Sequence, residues 1–286
     1  MNKISSTILS PPPELQPYIN CFRVNQHLGV DEVSVLVCPN GLPGMLLQTH
    51  PNNSQVNSIA PTDGTTVEDV PTLFVYGQIT KPNTMHFGEG PFTNVQVVFE
   101  PSALRSLFGI DATTVADGYL TPDQFGAQTL LSNLSHTQST DDYVRIMSSF
   151  FKDKLQKEDI KRDSAVDEAL MFIQEHIDDV NVGDVLSHVH ISERQFEKRF
   201  LLWVGISPKL YIRIVRFNKA MELINAGTYE RLSDIAAALN FHDQSHFIRD
   251  IKIFSNITPR SISMKTVDFY HDQVGSSYTS SAAATN

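Results

Sequence analysis

The sequence predicts an α+β fold: a β-rich, barrel-like N-terminal domain followed by an all-α domain with two helix-turn-helix units. Short apolar or β-branched runs separated by Pro, Gly and Asn occupy the first half, whereas helical periodicity begins near residue 141. The second half contains one sequence unit twice, which is typical of a duplicated supersecondary structure. We therefore expect a β-rich domain over residues 1–140, a helical connector over 141–162, the paired units over 163–268 and a disordered tail over 269–286.

Strands are predicted where short apolar runs lie between turn residues. The clearest runs are Val33–Cys38, Gly44–Thr49, Leu73–Gly77 and Asn94–Phe99. A short helix should follow over residues 101–109, because proline suits a helix start and glycine a helix end. The aromatic residues of this region fit either a packed barrel core or the lining of an effector pocket; they are Tyr18, Phe22, Phe74, Tyr76, Phe87 and Phe99.

Two helices and a polar tail are predicted on either side of the duplicated unit. Val144, Met147, Phe151 and Leu155 form one apolar helical stripe, which suits either packing within the domain or a dimer seam. A second helix is expected over residues 163–179. Beyond residue 272 the chain is rich in Ser, Ala and Thr, and this composition predicts disorder.

The distribution of charge is more informative than its sum. The 286-residue chain has a net charge of −10, yet residues 182–265 carry twelve Lys and Arg against eight Asp and Glu. A basic segment in an acidic chain is typical of a nucleic-acid-binding surface, although a mildly basic surface does not identify one by itself. We expect no membrane span and no secretory signal, and Cys21 and Cys38 suit reduced thiols in the cytoplasm.

The duplicated unit lies between residues 182 and 259. Each copy consists of an apolar helix, a turn and a second helix, and the residues that precede the second helices, Ser192 and Asp243, are good N-caps. The second helices correspond at an offset of 51 residues, which pairs Phe196 with Phe247, Phe200 with Ile251, Lys198 with Arg249 and Pro208 with Pro259.

Each second helix is predicted to have an apolar back and a polar front. The backs consist of Phe196, Phe200 and Trp203 in the first copy and of Phe247, Ile251 and Phe254 in the second. A helix that packs by one face and presents donors on the other suits the major groove, although a solvated surface helix has the same pattern. Two copies with the same assignment favour recognition of DNA.

These residues are similar to the AraC/XylS family of bacterial transcription activators. The resemblance covers residues 163–264 and depends on the order of its parts: a helix-turn-helix, a linker helix with Arg216 and Ala220, and a second unit containing Gln244–Phe247. It implies binding to double-stranded DNA and recruitment of RNA polymerase. The positions that it assigns to DNA contact are Arg194, Glu197, Lys198, Gln244, Ser245, His246, Arg249 and Lys252.

A weaker resemblance covers the N-terminal half, through Pro13–Ile19, Cys38–Gly41 and residues 97–109. In the family such domains are regulatory: they bind a small-molecule effector, form a homodimer, or both. The second unit departs from the family where Asn240 and Asn256 replace glycines, but Asn tolerates a left-handed backbone. Ser255 replaces an aromatic residue, which predicts weaker packing of that unit.

Two other classes of protein remain open at this point. One is an enzyme, cupin-like or DNA-repair, fused to a DNA-targeting module; the other is a module that binds a protein through its paired helices. The sequence has no recognisable catalytic arrangement or cofactor motif, and His27, His50, His86, Cys21 and Cys38 are not spaced as metal ligands. We therefore expect no enzyme activity, no cofactor and no metal site.

Overall fold

The computed structural model describes residues 4–49, 56–62, 64–134, 137, 139–157, 162–227, 229, 231–241, 243–263, 268–272 and 275–280. His50, residues 158–161 of the predicted connector and residues 281–286 of the predicted tail lie outside these ranges. The strands are β1 (Ser5–Leu9), β2 (Ile19–His27), β3 (Val33–Val37), β4 (Gly44–Gln48), β5 (Val56–Pro61), β6 (Val67–Glu68), β7 (Leu73–Tyr76), β8 (Asn83–Phe87), β9 (Phe92–Phe99), β10 (Tyr119–Leu120), β11 (Asp268–Asp272) and β12 (Gly275–Ser280).

The helices of the described chain are α1 (Ala103–Phe108), α2 (Gln128–Leu134), α3 (Thr140–Lys157), α4 (Ser164–Glu175), α5 (Val182–Val189), α6 (Glu193–Val204), α7 (Pro208–Ala226), α8 (Leu232–Ala238), α9 (Gln244–Ser255) and α10 (Pro259–Ser263). Within the described ranges, no helix is long and apolar enough to cross a membrane.

The N-terminal half is built on two antiparallel sheets of six strands. The first sheet has the order β1-β2-β9-β4-β7-β10, and the second has the order β11-β12-β3-β8-β5-β6. The predicted strands of this half are present as β3, β4, β7 and the end of β9, and the predicted helix is present as α1. The β-rich prediction is confirmed, but the two sheets do not close on each other into a barrel.

One face of the first sheet is covered by helices. Met45 and Leu47 of β4 share a buried core with Met147 and Phe151 of α3. Leu46, between them in sequence, points to the opposite face and packs between the sheets, so every residue of β4 is buried. The sequence left two interpretations of this apolar stripe, packing within the domain or a dimer seam. In the structure it packs within the N-terminal half, where α3 covers the sheet.

The space between the two sheets is lined by a second, smaller core. Phe87 and Phe92 stack with their ring centroids 4.0 Å apart, and the His27 ring lies 5.3 Å from Phe92. His27 is buried, and neither ring nitrogen has a hydrogen-bond partner among the described residues. Burial lowers the pKa of His27 from its ordinary value.

The aromatic residues that the sequence groups into one barrel core divide between two cores. Phe22 and Phe99 are buried on the helix-covered face, and Tyr18 packs at its edge. Phe74 and Phe87 lie between the sheets, where Tyr76 packs beside them. The division arises because neighbouring residues of a strand face opposite sides of the sheet.

The C-terminal helices share a core that extends into the N-terminal half. Phe196, Phe217 and Phe247 are buried in it, together with Leu36 of β3 and Cys38 just after that strand. The amide nitrogen of Asn218 on α7 donates to the Pro39 carbonyl at 3.0 Å. The two halves are therefore joined by packing as well as by the chain.

A second contact between the halves lies at the end of α6. The guanidinium of Arg105 on α1 lies 5.4 Å from the centre of the Trp203 ring. Gly205 ends α6 with φ +94°, and a Cβ there would lie 2.7 Å from the Ala112 carbonyl oxygen. A residue without a side chain is therefore required where α6 meets the N-terminal half.

The described part of the predicted disordered tail, residues 269–272 and 275–280, is ordered as strands instead. Strands β11 and β12 form an antiparallel hairpin, and β12 pairs with β3 in the register Ser277 with Val37 to Ser280 with Ser34. A Ser- and Thr-rich segment buries little apolar surface by itself, which is why its composition predicts disorder. Its backbone groups here pair with a strand more than two hundred residues earlier, a contact that composition does not reveal.

Candidate nucleic-acid interface

The first helix-turn-helix is formed by α5 and α6. The Asn181 side chain accepts hydrogen bonds from the backbone N–H groups of Gly183 and Asp184, and the Asp184 carboxylate accepts from the Asn181 N–H at 2.9 Å. This capping box satisfies the free N–H groups at the start of α5. His190 ends the helix in the left-handed conformation with φ 53°, and α6 begins three residues later.

The second helix-turn-helix repeats this construction with α8 and α9. Asp243 caps α9, because its carboxylate accepts from the His246 backbone N–H at 2.7 Å. Asn240 lies in the turn with φ 49°, and Asn256 ends α9 with φ 58°. Both asparagines thus adopt the left-handed conformation that the sequence predicts for them.

Ser255 does not weaken the second unit in the way the sequence suggests. Its side chain is fully buried, and its hydroxyl donates to the Ile251 carbonyl at 2.6 Å. The same oxygen accepts from the backbone N–H of Ile257 at 3.3 Å. A small polar residue is accommodated because the helix end supplies its hydrogen-bond partners.

The apolar backs of both second helices are buried as predicted. Phe196, Phe200 and Trp203 of α6 lie in the shared C-terminal core, and so do Phe247, Ile251 and Phe254 of α9. Burial of one face fixes the rotation of each helix and therefore decides which side chains face outward.

The residues that the family resemblance assigns to DNA contact lie on the outward faces. On α6, Arg194, Glu197 and Lys198 are exposed. On α9, the exposed members are Gln244, Ser245, Arg249 and Lys252. The described ion pairs include none of the four cationic side chains in this set, so their charges are available to a ligand.

His246 is the exception in that set, because it is half-buried. Its ring lies 5.6 Å from the Phe241 ring, and its Nε2 atom lies 3.7 Å from a carboxylate oxygen of Asp250. The side chain therefore lies between the core of the second unit and its outward face.

Each second helix is also held by an ion pair that sequence reasoning missed. In the first unit, the Arg199 guanidinium donates twice to the Asp163 carboxylate, both at 2.6 Å, and Asp163 also caps α4. In the second, Arg213 of α7 donates twice to the buried Asp250 carboxylate, at 2.7 and 3.2 Å. Hydrogen bonding to Asp163 raises the pKa of Arg199.

The two ion pairs have opposite polarity. Arg199 and Asp250 correspond at the 51-residue offset, yet the cation is on the second helix in one unit and the anion in the other. Each partner lies on the helix that precedes the helix-turn-helix, namely at the start of α4 or on α7. The pairing joins residues 36 or 37 positions apart, so a periodicity analysis does not detect it.

The linker helix α7 connects the units and is anchored to both, through Arg213 to α9 and through Arg216 to the segment after α4. Arg216 donates to the Ile177 carbonyl at 3.3 Å and to the Val180 carbonyl, which lie after α4. Ala220 is fully buried in the shared core. This arrangement of two capped and anchored helix pairs, with exposed cationic fronts, defines a tandem helix-turn-helix protein of the DNA-binding class.

Comparisons with known proteins give the same class. Residues 185–264 match a family described as a helix-turn-helix domain, and residues 7–121 match a domain of unknown function. The regulatory protein PocR of Salmonella typhimurium is 31% identical over 100 residues, which make up 35% of this chain and 33% of PocR. The chain thus matches about a third of the length of that relative.

Two solved structures are also similar. ToxT from Vibrio cholerae has a TM-score of 0.47 and 13% identity, and the match covers 85% of this chain and 97% of ToxT. A transcriptional regulator from Chromobacterium violaceum with an AraC-type DNA-binding domain has a TM-score of 0.33 and 27% identity, covering 36% of this chain and 91% of the other. The helix-turn-helix match and the similarity to PocR agree with the resemblance of residues 163–264 to AraC-type regulators.

Proposed function

We propose that this protein is a sequence-specific transcription regulator that inserts α6 and α9 into successive major-groove segments of double-stranded DNA. The observation that carries the proposal is the repeated geometry of these helices: buried aromatic or aliphatic backs, and exposed cationic fronts at corresponding positions of the two units. An Arg that reaches a guanine edge specifies sequence, whereas a Lys or Arg on phosphate sets position.

The linker helix supports simultaneous binding by both units. It contains 19 residues, and a rise of 1.5 Å per residue gives it a length of about 28 Å. Successive major-groove segments on one face of B-DNA are separated by about 34 Å. Since α7 is anchored to both units, it holds them at a separation of the same order.

We assign the strongest contacts to Arg194, Lys198, Arg249 and Lys252, which are exposed cations on the two fronts. Gln244 and Ser245 supply neutral donors at the start of α9, where helix N-termini face the groove. Glu197 can accept from a cytosine amino group. His246 is half-buried and contacts DNA through its exposed edge.

The decisive experiment combines selection from a random-sequence DNA library with gel shifts on the enriched motif. If Lys198 or Arg249 contacts a base, its substitution by Ala should weaken specific binding by about 1–3 kcal/mol. If the side chain contacts a phosphate instead, the substitution should reduce by about one the slope of the logarithm of the binding constant against the logarithm of the salt concentration. Arg145→Ala removes the same charge from the exposed face of α3 and serves as the matched control. Full affinity in both interface variants, or no enriched motif, contradicts the proposal.

The N-terminal half is proposed as a sensor that controls the DNA-binding half. Polar side chains face the space between its sheets: Asn25 donates to Asn94 at 2.8 Å, and Gln96 donates to the Tyr76 hydroxyl at 2.5 Å. Burial raises the pKa of Tyr76 to about 12, so that hydroxyl stays protonated. A small-molecule effector with hydroxyl or carbonyl groups suits such a lining, and a thermal-shift screen of metabolites tests this assignment.

RNA polymerase, a second copy of the chain and a cytoplasmic location complete the proposal. Recruitment of polymerase is tested by transcription in vitro on a template carrying the enriched motif. Analytical ultracentrifugation with and without that DNA tests homodimerisation.

The enzyme alternative has no specific observation in its favour. Cys21 and Cys38 are both buried, and burial raises the pKa of the Cys38 thiol well above its usual range. A buried thiol with a raised pKa is a poor nucleophile. Among the described residues, no group of three or more His, Cys, Asp or Glu is arranged to hold a metal ion.

A further inference from the structure

We propose that the C-terminal hairpin, strands β11 and β12, is a clasp that couples the N-terminal half mechanically to the DNA-binding units. The clasp follows the second helix-turn-helix in the chain but completes a sheet of the N-terminal half. The clasp is therefore joined to the DNA-binding half along the chain and to the N-terminal half by strand pairing.

The first contact of the clasp is the backbone ladder to β3. Four residues of β12 pair with four of β3, from Ser277 opposite Val37 to Ser280 opposite Ser34. On its other side β3 pairs with β8. Without the clasp, β3 would be the edge strand of its sheet, and the backbone groups on one side of its Val-Ser-Val-Leu-Val sequence would have no strand to pair with. Proteins normally cover an apolar edge of this type.

The second contact is to the linker helix. A few Cα atoms of α7 lie within 8 Å of Cα atoms of β11 and β12. At the start of β12, Gly275 has φ +126°, and a Cβ there would lie 2.7 Å from the Cβ of Asn40. The hairpin is thus seated closely between α7 and the loop that follows β3.

Strand β3, which pairs with the clasp, contributes side chains to two different cores. Val33 and Val35 of β3 face the space between the sheets, where the proposed effector would act. Leu36 belongs to the core of the DNA-binding units. A displacement of β3 is therefore transmitted both through Leu36 and through the clasp to α7, the helix that carries both recognition helices.

The test uses the full chain with Ser277→Pro. Strand β12 lies between β11 and β3, and Ser277 pairs with Tyr270 on one side and Val37 on the other. Because proline has no backbone N–H and is poorly tolerated inside a sheet, the substitution destabilises β12 as a central strand and, with it, the pairing of β12 to β3. Ser277→Ala retains the backbone donor and is the matched control.

Hydrogen exchange and unfolding are measured first, and neither requires DNA. Successive N–H groups of β3 point alternately to β12 and to β8, so we expect the amides among residues 34–37 that face β12 to exchange at least tenfold faster in Ser277→Pro than in Ser277→Ala. Trp203, the single tryptophan, lies at the seam between the halves and reports local unfolding by fluorescence, while circular dichroism reports the whole chain. Its unfolding midpoint should coincide with that from circular dichroism in the control and separate from it by several degrees in the proline variant.

A second full-chain variant covers the case in which proline disturbs more than the hairpin. Val35→Cys with Thr279→Cys places thiols on directly opposed residues, a separation that a disulfide can bridge. Mild oxidation should close this bridge and raise the unfolding temperature, whereas each single variant should not respond. Failure of the bridge to form, or unchanged exchange at residues 34–37 in Ser277→Pro, overturns the clasp.

The regulatory part of the inference rests on the proposed function and has its own readout. Relative to Ser277→Ala, we expect Ser277→Pro to weaken binding to the enriched DNA motif by between about 2-fold and 30-fold, the usual range of coupling between distant sites. Equal affinities would overturn the coupling. Absence of DNA binding in the wild-type chain would overturn the proposed function instead, since exchange and unfolding test the clasp independently.

Discussion

Removal of Arg213 should destabilise the protein more than removal of Arg199, although both side chains pair with an aspartate behind a recognition helix. In Arg213→Met the Asp250 carboxylate, whose side chain is only 2% exposed, loses both of its guanidinium hydrogen bonds. Of the remaining cations, Arg216 acts on Asp250 through space without an ion-pair contact, and His246, at 3.7 Å, acts only when it is protonated. The folded protein therefore has to bury an unpaired carboxylate or protonate it.

Protonation sets an upper limit on the cost. Neutralising an Asp with an ordinary pKa near 3.9 costs about 1.4 kcal/mol per pH unit above that value, or about 5 kcal/mol at pH 7.5 and about 2 kcal/mol at pH 5.5. Measured losses for broken buried pairs are about 3–5 kcal/mol. We expect Arg213→Met to lose about 3–4 kcal/mol at pH 7.5. The loss shrinks at pH 5.5, because the folded variant then binds a proton that the unfolded chain lacks.

Arg199→Met provides the comparison. In this variant Asp163 loses its ion pair but still accepts a hydrogen bond from the Val166 N–H at 3.2 Å. It also lies at the N-terminus of α4, where a negative charge is favoured. We expect a loss of only about 1–2 kcal/mol. Urea unfolding followed by circular dichroism measures both variants at the two pH values. Arg213→Met with Asp250→Asn, which removes the buried charge, should recover much of the loss.

Two results would refute this reasoning. One is a loss below about 1 kcal/mol for Arg213→Met at pH 7.5, which would mean that Asp250 reaches solvent or finds another partner. The other is a loss that does not shrink on acidification, which would place the cost in packing rather than in charge.

Three further predictions concern single side chains. Burial lowers the pKa of His27 below 6.5, so the unfolded chain binds more protons than the folded protein as the pH falls through that value, and stability is lost. His27→Leu should reduce the drop in unfolding temperature between pH 7.5 and 5.5, and an unchanged drop would exclude this histidine as its source. Asn256→Ala should cost about 1 kcal/mol in urea unfolding because φ is 58°, whereas Asn256→Gly should not; equal costs would count against left-handed strain. Gly205→Ala should destabilise the chain by more than about 1 kcal/mol, because its Cβ would clash with the Ala112 carbonyl oxygen. An unfolding midpoint equal to that of the wild type, measured by Trp203 fluorescence, would show that the contact between α6 and the N-terminal half adjusts without cost.

Local rules predicted the parts of the fold that depend on local sequence. The caps Ser192 and Asp243 and the left-handed Asn240 and Asn256 lie where short-range chemistry places them. The inward and outward faces of α6 and α9 follow from helical periodicity alone. The exposure of Lys198 and Arg249 follows in turn, because the buried backs fix the rotation of each helix.

Long-range pairing accounts for what the sequence did not predict. The helix stripe from Val144 to Leu155 covers the first sheet, and periodicity does not say which surface such a stripe meets. The ladder between β12 and β3 and the ion pair of Arg213 with Asp250 join segments that are distant in the chain. The predicted single aromatic core is two cores in the structure, because successive residues of a strand point to opposite faces of the sheet.

The reversed polarity of the two ion pairs has a consequence for how a duplicated chain assembles. While the polypeptide is incompletely folded, α6 and α9 offer similar apolar surfaces, and either one could dock against the other's supporting helix. Such a misplaced docking would bring Asp250 towards Asp163, or Arg199 towards Arg213, and like charges without water are strongly unfavourable. The reversed polarity thus favours docking of each recognition helix on its own supporting helix. It disfavours exchange of the two helices, both within one molecule and between two molecules.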